Sequence, residues 1–327
     1  MTPFSGIFES MKMVDQSQVS TDFPMTTLLE AFGTNLEFSR ELAPLTSFKT
    51  GGRAKYFLSV ESVDEAIRSI KAVKKLKLPY FVMASGSNLL VSDEGFDGLV
   101  IKMDIKGLRK LSDTEIESGA GEDLMSLVNF ATASSLSGLE FAAGIWGTVG
   151  GAVYGNAGAF GGEIGSVATT ITVVGDKGDP GDLTADQCGF SYRHSALKDT
   201  REIIVRARFR LVPGEPQKIQ ARVDEILAAR EGKHPTQGRS AGCFFKNIPD
   251  PKEEHGKLPA GRLLEEAGAK ELRVGDARVF EKHANIIVNS GHASSKDIRQ
   301  LADMMKKRVF DRFGIELQEE VQQLGRF

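Results

Sequence analysis

The chain reads as α+β or α/β, and three observations carry that reading. A helix, a strand, a glycine loop and a second strand follow one another between residues 62 and 103. Glycine, 35 residues in all, is clustered in the first two-thirds and thins after about residue 212. Amphipathic helices and β-branched runs then recur towards the C-terminus, and 327 residues suffice for two or three domains with sizeable cores.

Taken in order, residues 1–24 carry acidic residues and no continuous apolar run or small-residue cleavage site. They are expected to be a weakly ordered extension and no secretory signal. Ser62 and Glu65 form a capping-box pair that opens a helix with Ala66, Ile67, Ile70 and Val73 on one face, ending near Leu78-Pro79. PYFVMA (79–84) and GLVIKM (98–103) read as strands on either side of a glycine loop. A second helix is expected from Asp123 to about Leu136, then strands over 168–174 and 203–211, the latter alternating as Ile-Ile-Val-Arg-Ala-Arg-Phe-Arg-Leu. Val212-Pro213-Gly214 breaks the pattern and places a domain boundary near 213. Beyond it, a helix from about Pro216 runs through Ile219, Val223, Ile226 and Leu227 to a Lys-His-Pro turn. Helices over 261–267 and 295–313 flank a strand over 285–289.

Composition narrows the function classes. With 41 Lys and Arg against 44 Asp and Glu, the net charge is −3, which attracts neither nucleic acid nor an anionic membrane, so an anionic ligand must be met by local cations. No stretch approaches the roughly 18 apolar residues of a membrane span, and a soluble, cytoplasmic protein is expected. Cys188 and Cys243 are too few for a disulfide framework and lack zinc or redox spacing. The five histidines show no metal-ligand spacing, so no metal is expected.

Two glycine segments carry the binding chemistry. In ASGSNLLVSDEGFDGLVI (84–101) a small-residue loop follows a strand directly, so successive N–H groups and a hydroxyl can face a pyrophosphate. GLEFAAGIWGTVGGAVYGNAGAFGGEIG (138–165) holds ten glycines among small and apolar residues. It is too apolar for a linker and reads as too glycine-rich for a helix, which suits a wall lying against a flat cofactor. Neither a Rossmann nor a P-loop signature is present.

In order and spacing, SFKTGGRA (47–54), ASGSNLL (84–90) and the 138–165 run resemble the UDP-N-acetylenolpyruvoylglucosamine reductase (MurB) family. The match continues through CGFSYRHS (188–195), GKHP (232–235), SAGCFFKN (240–247), AGRLLEEAG (260–268), KHANIIVN (282–289) and LQEEV (317–321), from about residue 28 to the end. The resemblance implies an α+β protein. A two-part FAD-binding domain of the vanillyl-alcohol-oxidase/PCMH type would span 25–213, dividing near 103. A C-terminal α/β substrate-binding domain would span 214–327, its last residues returning to the active site. FAD would be bound non-covalently, with Gly86, Ser87, Asn88 and Leu89 at the pyrophosphate and Gly52 and Ala84 beside them. Ala143, Gly144, Gly147, Thr148, Gly150 and Gly151 would line the flavin. Trp146 stands where the family usually has proline. The interval before the helix at 216 and the Tyr192-Arg193 segment resemble the shorter subclass, which lacks an extra substrate-covering loop.

The implied activity is NADPH-dependent reduction of UDP-N-acetylglucosamine enolpyruvate to UDP-N-acetylmuramate, a step of peptidoglycan precursor synthesis, with no obligate protein partner evident. Hydride addition leaves charge on the substrate carboxylate and requires a proton donor for the adjacent carbon. Arg193 matches the family's catalytic arginine and Glu320 its catalytic glutamate, with Glu319 the neighbouring alternative. Cys243 occupies the place of the usual serine, and a thiol preserves proton donation. Lys233, Asn247, Tyr192 and Arg239 fall at substrate-contacting positions or near them, with Lys246 as a further cation. Cys188 reads as a small buried hydrophobe. The competing readings are another FAD oxidoreductase of the same fold, acting on a hydroxy acid or sugar, and a catalytically silent nucleotide-sugar-binding protein.

Overall fold

The computed structural model describes residues 23–200, 202–235, 239–253 and 256–327. The expected N-terminal extension lies outside the described residues except for its last two, which open helix α1 (Phe23–Phe32). Five strands follow: β1 (Leu36–Glu41), β2 (Arg53–Val60), β3 (Tyr80–Met83), β4 (Leu89–Val91) and β5 (Phe96–Met103). Leu99, Val100 and Ile101 in β5 are all fully buried, the mark of a strand covered on both faces. Accordingly β5 lies inside the sheet, parallel to β2 on one side and β3 on the other, with antiparallel β1 at the edge. Helix α2 (Val63–Leu76) joins β2 to β3, and Ser62 Oγ accepts from Glu65 N as a helix cap should. The Glu65 carboxylate returns to the Glu61 amide rather than to Ser62, so the box closes one residue early.

The second sheet is antiparallel, built from β6 (Leu108–Lys110), β7 (Glu115–Gly119), β8 (Ala168–Val174), β9 (Pro180–Thr184) and β10 (Ile203–Arg210) in the order β9-β8-β10-β7-β6. Alternation in β10 sends Val205, Ala207 and Phe209 into the core and Arg206, Arg208 and Arg210 outward. Inward faces of both sheets share one core with α2 and with α3 (Leu124–Ala133). Helix α3 stops short of Leu136 because Ser135 turns left-handed, at φ 59°.

One expectation for the glycine run is corrected. Residues 138–165 include helix α4 (Val149–Gly155), capped by Thr148 Oγ1 accepting from Gly151 N. Glycine costs helix stability in isolation, but here it lets the helix lie against its support. A Cβ on Gly150 would stand 2.9 Å from the Ala120 Cβ.

Helix α5 (Pro216–Glu231) follows the break at 212–214, and its Val223 and Ile226 join the core of the two sheets. The second core gathers α6 (Ala260–Glu266), a three-stranded antiparallel sheet of β11 (Arg273–Val274), β12 (Ala277–Phe280) and β13 (His283–Asn289), and α7 (Ser295–Phe313). Phe48 and Leu90 from the N-terminal half enter this core. The chain ends by pairing β14 (Gln322–Leu324) in parallel with β4, Gln322 opposite Leu89 and Leu324 opposite Val91. A second tie is Asp93, whose carboxylate accepts from Ser295 N at 2.9 Å and Lys296 N at 3.0 Å, at the start of α7. No helix of the described residues is long and apolar enough to cross a membrane.

Candidate active site

A cavity of about 1990 Å³ opens along the C-terminal end of β3 and receives walls from both halves of the chain. That is about twice the upper range of ordinary small-molecule sites, room for more than one ligand. Its floor begins at the loop after β3. Gly86 turns there with φ 68°, and its carbonyl is held by Ser47 N at 3.1 Å. The Ser47 hydroxyl donates to the Ser87 carbonyl at 3.2 Å. With the backbone fixed on one side, Ala84, Gly86, Ser87, Asn88 and Leu89 all line the cavity on the other.

The second glycine segment faces the first. Gly147 adopts φ 151°, and a Cβ on it would lie 3.2 Å from Ser87 Oγ. One on Gly151 would lie 3.4 Å from the Ala84 Cβ. Gly144, Gly147, Thr148, Gly150 and Gly151 line the cavity, as does Trp146, which is 54% exposed. Ala143 does not reach it and is fully buried in the core. Gly52 is also outside. Its Cβ would press on the Asp93 carbonyl and stand 2.6 Å from the Gly95 nitrogen, so this glycine serves close backbone packing against the loop between β4 and β5.

Arg193 is delivered by a two-residue turn closed by Ser191 and His194, which exchange backbone hydrogen bonds of 3.0 Å. The turn is anchored on the C-terminal end of α4. Asn156 Nδ2 donates to the Ser191 carbonyl, and Ser195 Oγ to the Tyr154 carbonyl, each at 2.8 Å. Arg193 Nε then lies 2.7 Å from Glu320 Oε1, a close ion pair whose N–H is poorly aligned on the oxygen. Glu320 arrives from the opposite end of the sequence, its amide donating to the Phe244 carbonyl at 2.8 Å and its own carbonyl accepting from Asn88 Nδ2 at 3.1 Å. Cys243 is set one residue before Phe244, bridged to Ile286 of β13. Arg193, Cys243 and Glu320 therefore meet at one wall of the cavity.

Electrostatics separate the candidates. Burial pushes the Cys243 thiol up to about 12, with Glu320 adding to the effect and Arg193 and Arg230 opposing it. The thiol thus carries its proton throughout the neutral range. Burial also raises the Glu320 carboxyl, against the pull of Arg193, Lys198 and Lys246. Glu319 points the other way, paired with Arg299 at 2.7 Å and Lys306 at 3.5 Å on α7, and so is not at the cavity. Burial, with Arg230 nearby, pushes His234 down to about 4, and His283 is lowered by burial as well. Both rings are neutral at pH 7. Cys188 is fully buried, its thiol pushed up to about 11 by burial.

Lys233 and Asn247 line the cavity. Tyr192 does not. Its hydroxyl accepts from Asn247 N at 3.2 Å, and its ring lies under Lys257 Nζ at 3.7 Å. Arg239 is turned away, donating to the Gly291 carbonyl. Cations that the sequence did not single out also face the cavity, among them Lys198 and Arg230. Arg230 packs its guanidinium 5.6 Å from the Phe160 ring centre and keeps a buried Nε without a hydrogen-bond partner. It stands in the last turn of α5, three residues before Lys233 in the turn that follows. Among the described residues no cluster of His, Cys, Asp and Glu is placed to hold a metal ion.

The arrangement suits an elongated, partly planar, anionic cofactor. Side chains are missing where two backbone segments face each other, and backbone amides and hydroxyls replace them. Residues 54–180, which supply both segments, match the FAD binding domain family. The chain is a flavin-dependent oxidoreductase whose cofactor is FAD, and its fold is α+β, an FAD-binding domain followed by a C-terminal domain. Residues 234–324 match the C-terminal domain of UDP-N-acetylenolpyruvoylglucosamine reductase. The chain is 41% identical over 295 residues to the UDP-N-acetylenolpyruvoylglucosamine reductase of Syntrophus aciditrophicus, covering 88% of this chain and 91% of that one. It is 39% identical to that of Lactiplantibacillus plantarum, covering 88% and 93%. The crystal structure of UDP-N-acetylenolpyruvylglucosamine reductase from Thermus caldophilus superposes with a TM-score of 0.73 at 35% identity, covering 89% of this chain and 98% of that one. The chain belongs to the UDP-N-acetylenolpyruvoylglucosamine reductase family.

Proposed function

We propose that the chain reduces the enolpyruvyl group of UDP-N-acetylenolpyruvoylglucosamine to UDP-N-acetylmuramate at the expense of NADPH, with Cys243 as the proton donor. The observation that carries this reading is the meeting of Arg193, Cys243 and Glu320 at one wall of a cavity whose other walls are the two glycine segments. FAD, when bound, would supply the hydride that the terminal carbon of the enolpyruvyl group requires. Ala84, Gly86, Ser87, Asn88 and Leu89 would hold its pyrophosphate, and Gly144, Gly147, Thr148, Gly150 and Gly151 would lie along the rest of it.

As the carbon–carbon double bond takes up hydride, negative charge moves onto the substrate carboxylate. Arg193, permanently charged, donates to that carboxylate and stabilises it where it develops. Cys243 transfers its thiol proton to the adjacent carbon, completing the addition of hydride and proton across the bond. A thiol pushed up to about 12 gives no proton away to water beforehand. Glu320 orients Arg193 through their ion pair. Lys233 and Asn247 meet the sugar nucleotide, Lys233 as a charge-assisted donor to the diphosphate. The cavity accommodates NADPH and the sugar nucleotide in turn. This assigns the protein to peptidoglycan precursor synthesis in the cytoplasm, in keeping with two unpaired cysteines.

The test separates the two half-reactions by stopped flow. Cys243→Ala is expected to leave FAD reduction by NADPH within about twofold and to slow product formation by on the order of 100-fold or more. Cys243→Ser should keep much of the activity. Normal turnover by Cys243→Ala would show that the proton comes from elsewhere.

A further inference from the structure

Lys198 faces the cavity beside Arg193, and the reaction scheme leaves it without a task. It closes the short 3-10 turn Ala196–Lys198, yet its side chain folds back along the chain. Nζ donates to the Arg193 carbonyl at 2.8 Å and lies 5.7 Å from the centre of the Tyr154 ring. The carbonyl it holds belongs to a residue in an unfavourable conformation. Arg193 sits at φ 55°, in the left-handed region that long side chains avoid. Bonds from Asn156 and Ser195 and the Ser191–His194 bridge secure the turn on either side of Arg193. The bond to the carbonyl of Arg193 itself comes from Lys198.

Lys198 sits there at some electrostatic cost. Burial lowers its affinity for a proton, and Lys246 and Arg193 repel it, while Glu320 and Asp199 partly compensate. Packing alone would be served better by an apolar chain of the same length. The feature an apolar chain lacks is the donated hydrogen bond.

We propose that Lys198 is a positioning residue, which by holding the Arg193 carbonyl fixes the left-handed turn that directs the guanidinium at Glu320 and into the cavity. The inference rests on the reading that Arg193 acts on the substrate. A displacement of about 1 Å at such a group costs on the order of 100-fold in rate, so loss of the bond falls on the step in which Arg193 takes part.

The experiment is a double-mutant cycle on the holoenzyme. FAD is first reduced, and single-turnover reduction of the enolpyruvyl substrate is followed for wild type, Lys198→Met, Arg193→Ala and the double variant. Lys198→Met is expected to slow this step about 10- to 100-fold. In the Arg193→Ala background the same substitution should cost under about threefold, because a residue acting through Arg193 has nothing left to position. Lys198→Arg, which restores a donor, should recover most of the rate. Calorimetric affinity for UDP-N-acetylmuramate, thermal stability and flavin content should stay close to wild type in Lys198→Met. An undiminished effect of Lys198→Met in the Arg193→Ala background would overturn the inference by placing Lys198 on the substrate itself, as would wild-type rates for Lys198→Met. Wild-type rates for Arg193→Ala alone would instead remove the parent reading, and the inference with it. If Lys198→Met fails to retain flavin, Lys198→Gln takes its place in the cycle with the same outcomes.

Discussion

Replacing Gly86 by alanine tests whether the loop after β3 is glycine by necessity. Two costs follow from the structure. An L-residue at φ 68° leaves its preferred regions, for about 1–2 kcal/mol. The new Cβ would overlap the Leu45 carbonyl oxygen and stand 2.6 Å from Met83 Cε and 3.1 Å from Thr46 Cα. Methionine can move, but the backbone of residues 45 and 46 can do so only by disturbing the turn that holds Ser47 against the loop. Such overpacking costs about 1–3 kcal/mol. Together the apoprotein should lose about 2–5 kcal/mol, or about 4–20 °C for a domain near 200 residues. Affinity for FAD should fall about tenfold or more, equivalent to one charge-assisted hydrogen bond misplaced. Calorimetric unfolding of the apoprotein and fluorescence titration with FAD measure the two. Gly155→Ala supplies the contrast, because its Cβ meets nothing within 4 Å and its backbone is helical. The apoprotein should gain about 0.4–1 kcal/mol from it. Unfolding of Gly86→Ala within 1 °C of wild type, with unchanged FAD affinity, would refute the reasoning.

Removing the carboxylate of Asp93 strips two hydrogen bonds from the first turn of α7, so Asp93→Ala should lower the urea midpoint by an amount worth about 1–2 kcal/mol. A midpoint indistinguishable from wild type would mean that the Ser294 cap suffices alone. For Glu320 the sign of the pH dependence is fixed by the raised carboxyl, which binds its proton more tightly folded than unfolded. Its contribution to stability is fully present below the ordinary value of 4.5 and is lost as pH rises through the raised one. Relative to Glu320→Gln, wild type should lose stability as pH rises above 4.5, read as urea midpoints at several pH values; an opposite slope would mean that Arg193 outweighs burial.

Regular, strongly patterned elements were legible in the sequence. Helix α7 and strand β8 match the expected spans residue for residue, because each buries a periodic face and has clear ends. Strand β1 was silent, since five of its six residues are exposed and give no alternation. Helix α4 was concealed by the glycines that let it approach Ala120, a tertiary reason that no local propensity expresses. At the site, glycine clustering identified the loops but not which glycines face the cavity. Gly52 lies, like Gly86, in one of the glycine clusters, yet it packs against the backbone of the loop between β4 and β5 instead. Lys198 and Arg230 escaped because surface and cavity cations look alike in sequence until the chain is folded. Likewise Arg239 and Lys233 are both basic residues in one polar segment, and only Lys233 lines the cavity.

The geometry also explains why the ends of the chain must cooperate. Glu320 lies 232 residues from Asn88, yet the Asn88 side chain donates to its carbonyl, and Gln322 N donates to the Asn88 carbonyl at 3.1 Å. Pairing of β14 with β4 extends that contact through Leu324. The loop assigned to the cofactor pyrophosphate and the segment bearing Glu320 are therefore one hydrogen-bonded unit, and a change in the position of either moves the other. Cys243 is tied to the same unit through Phe244, whose carbonyl accepts from Glu320 N and whose amide donates to Asn285 of β13. Arg193, by contrast, reaches the same wall from a turn held by α4 and Lys198. The Arg193–Glu320 ion pair is thus the contact by which two separately supported halves of the site are brought into register. Because the pair uses Nε, the terminal nitrogens of the guanidinium are the donors that the proposed reaction would turn towards a substrate carboxylate.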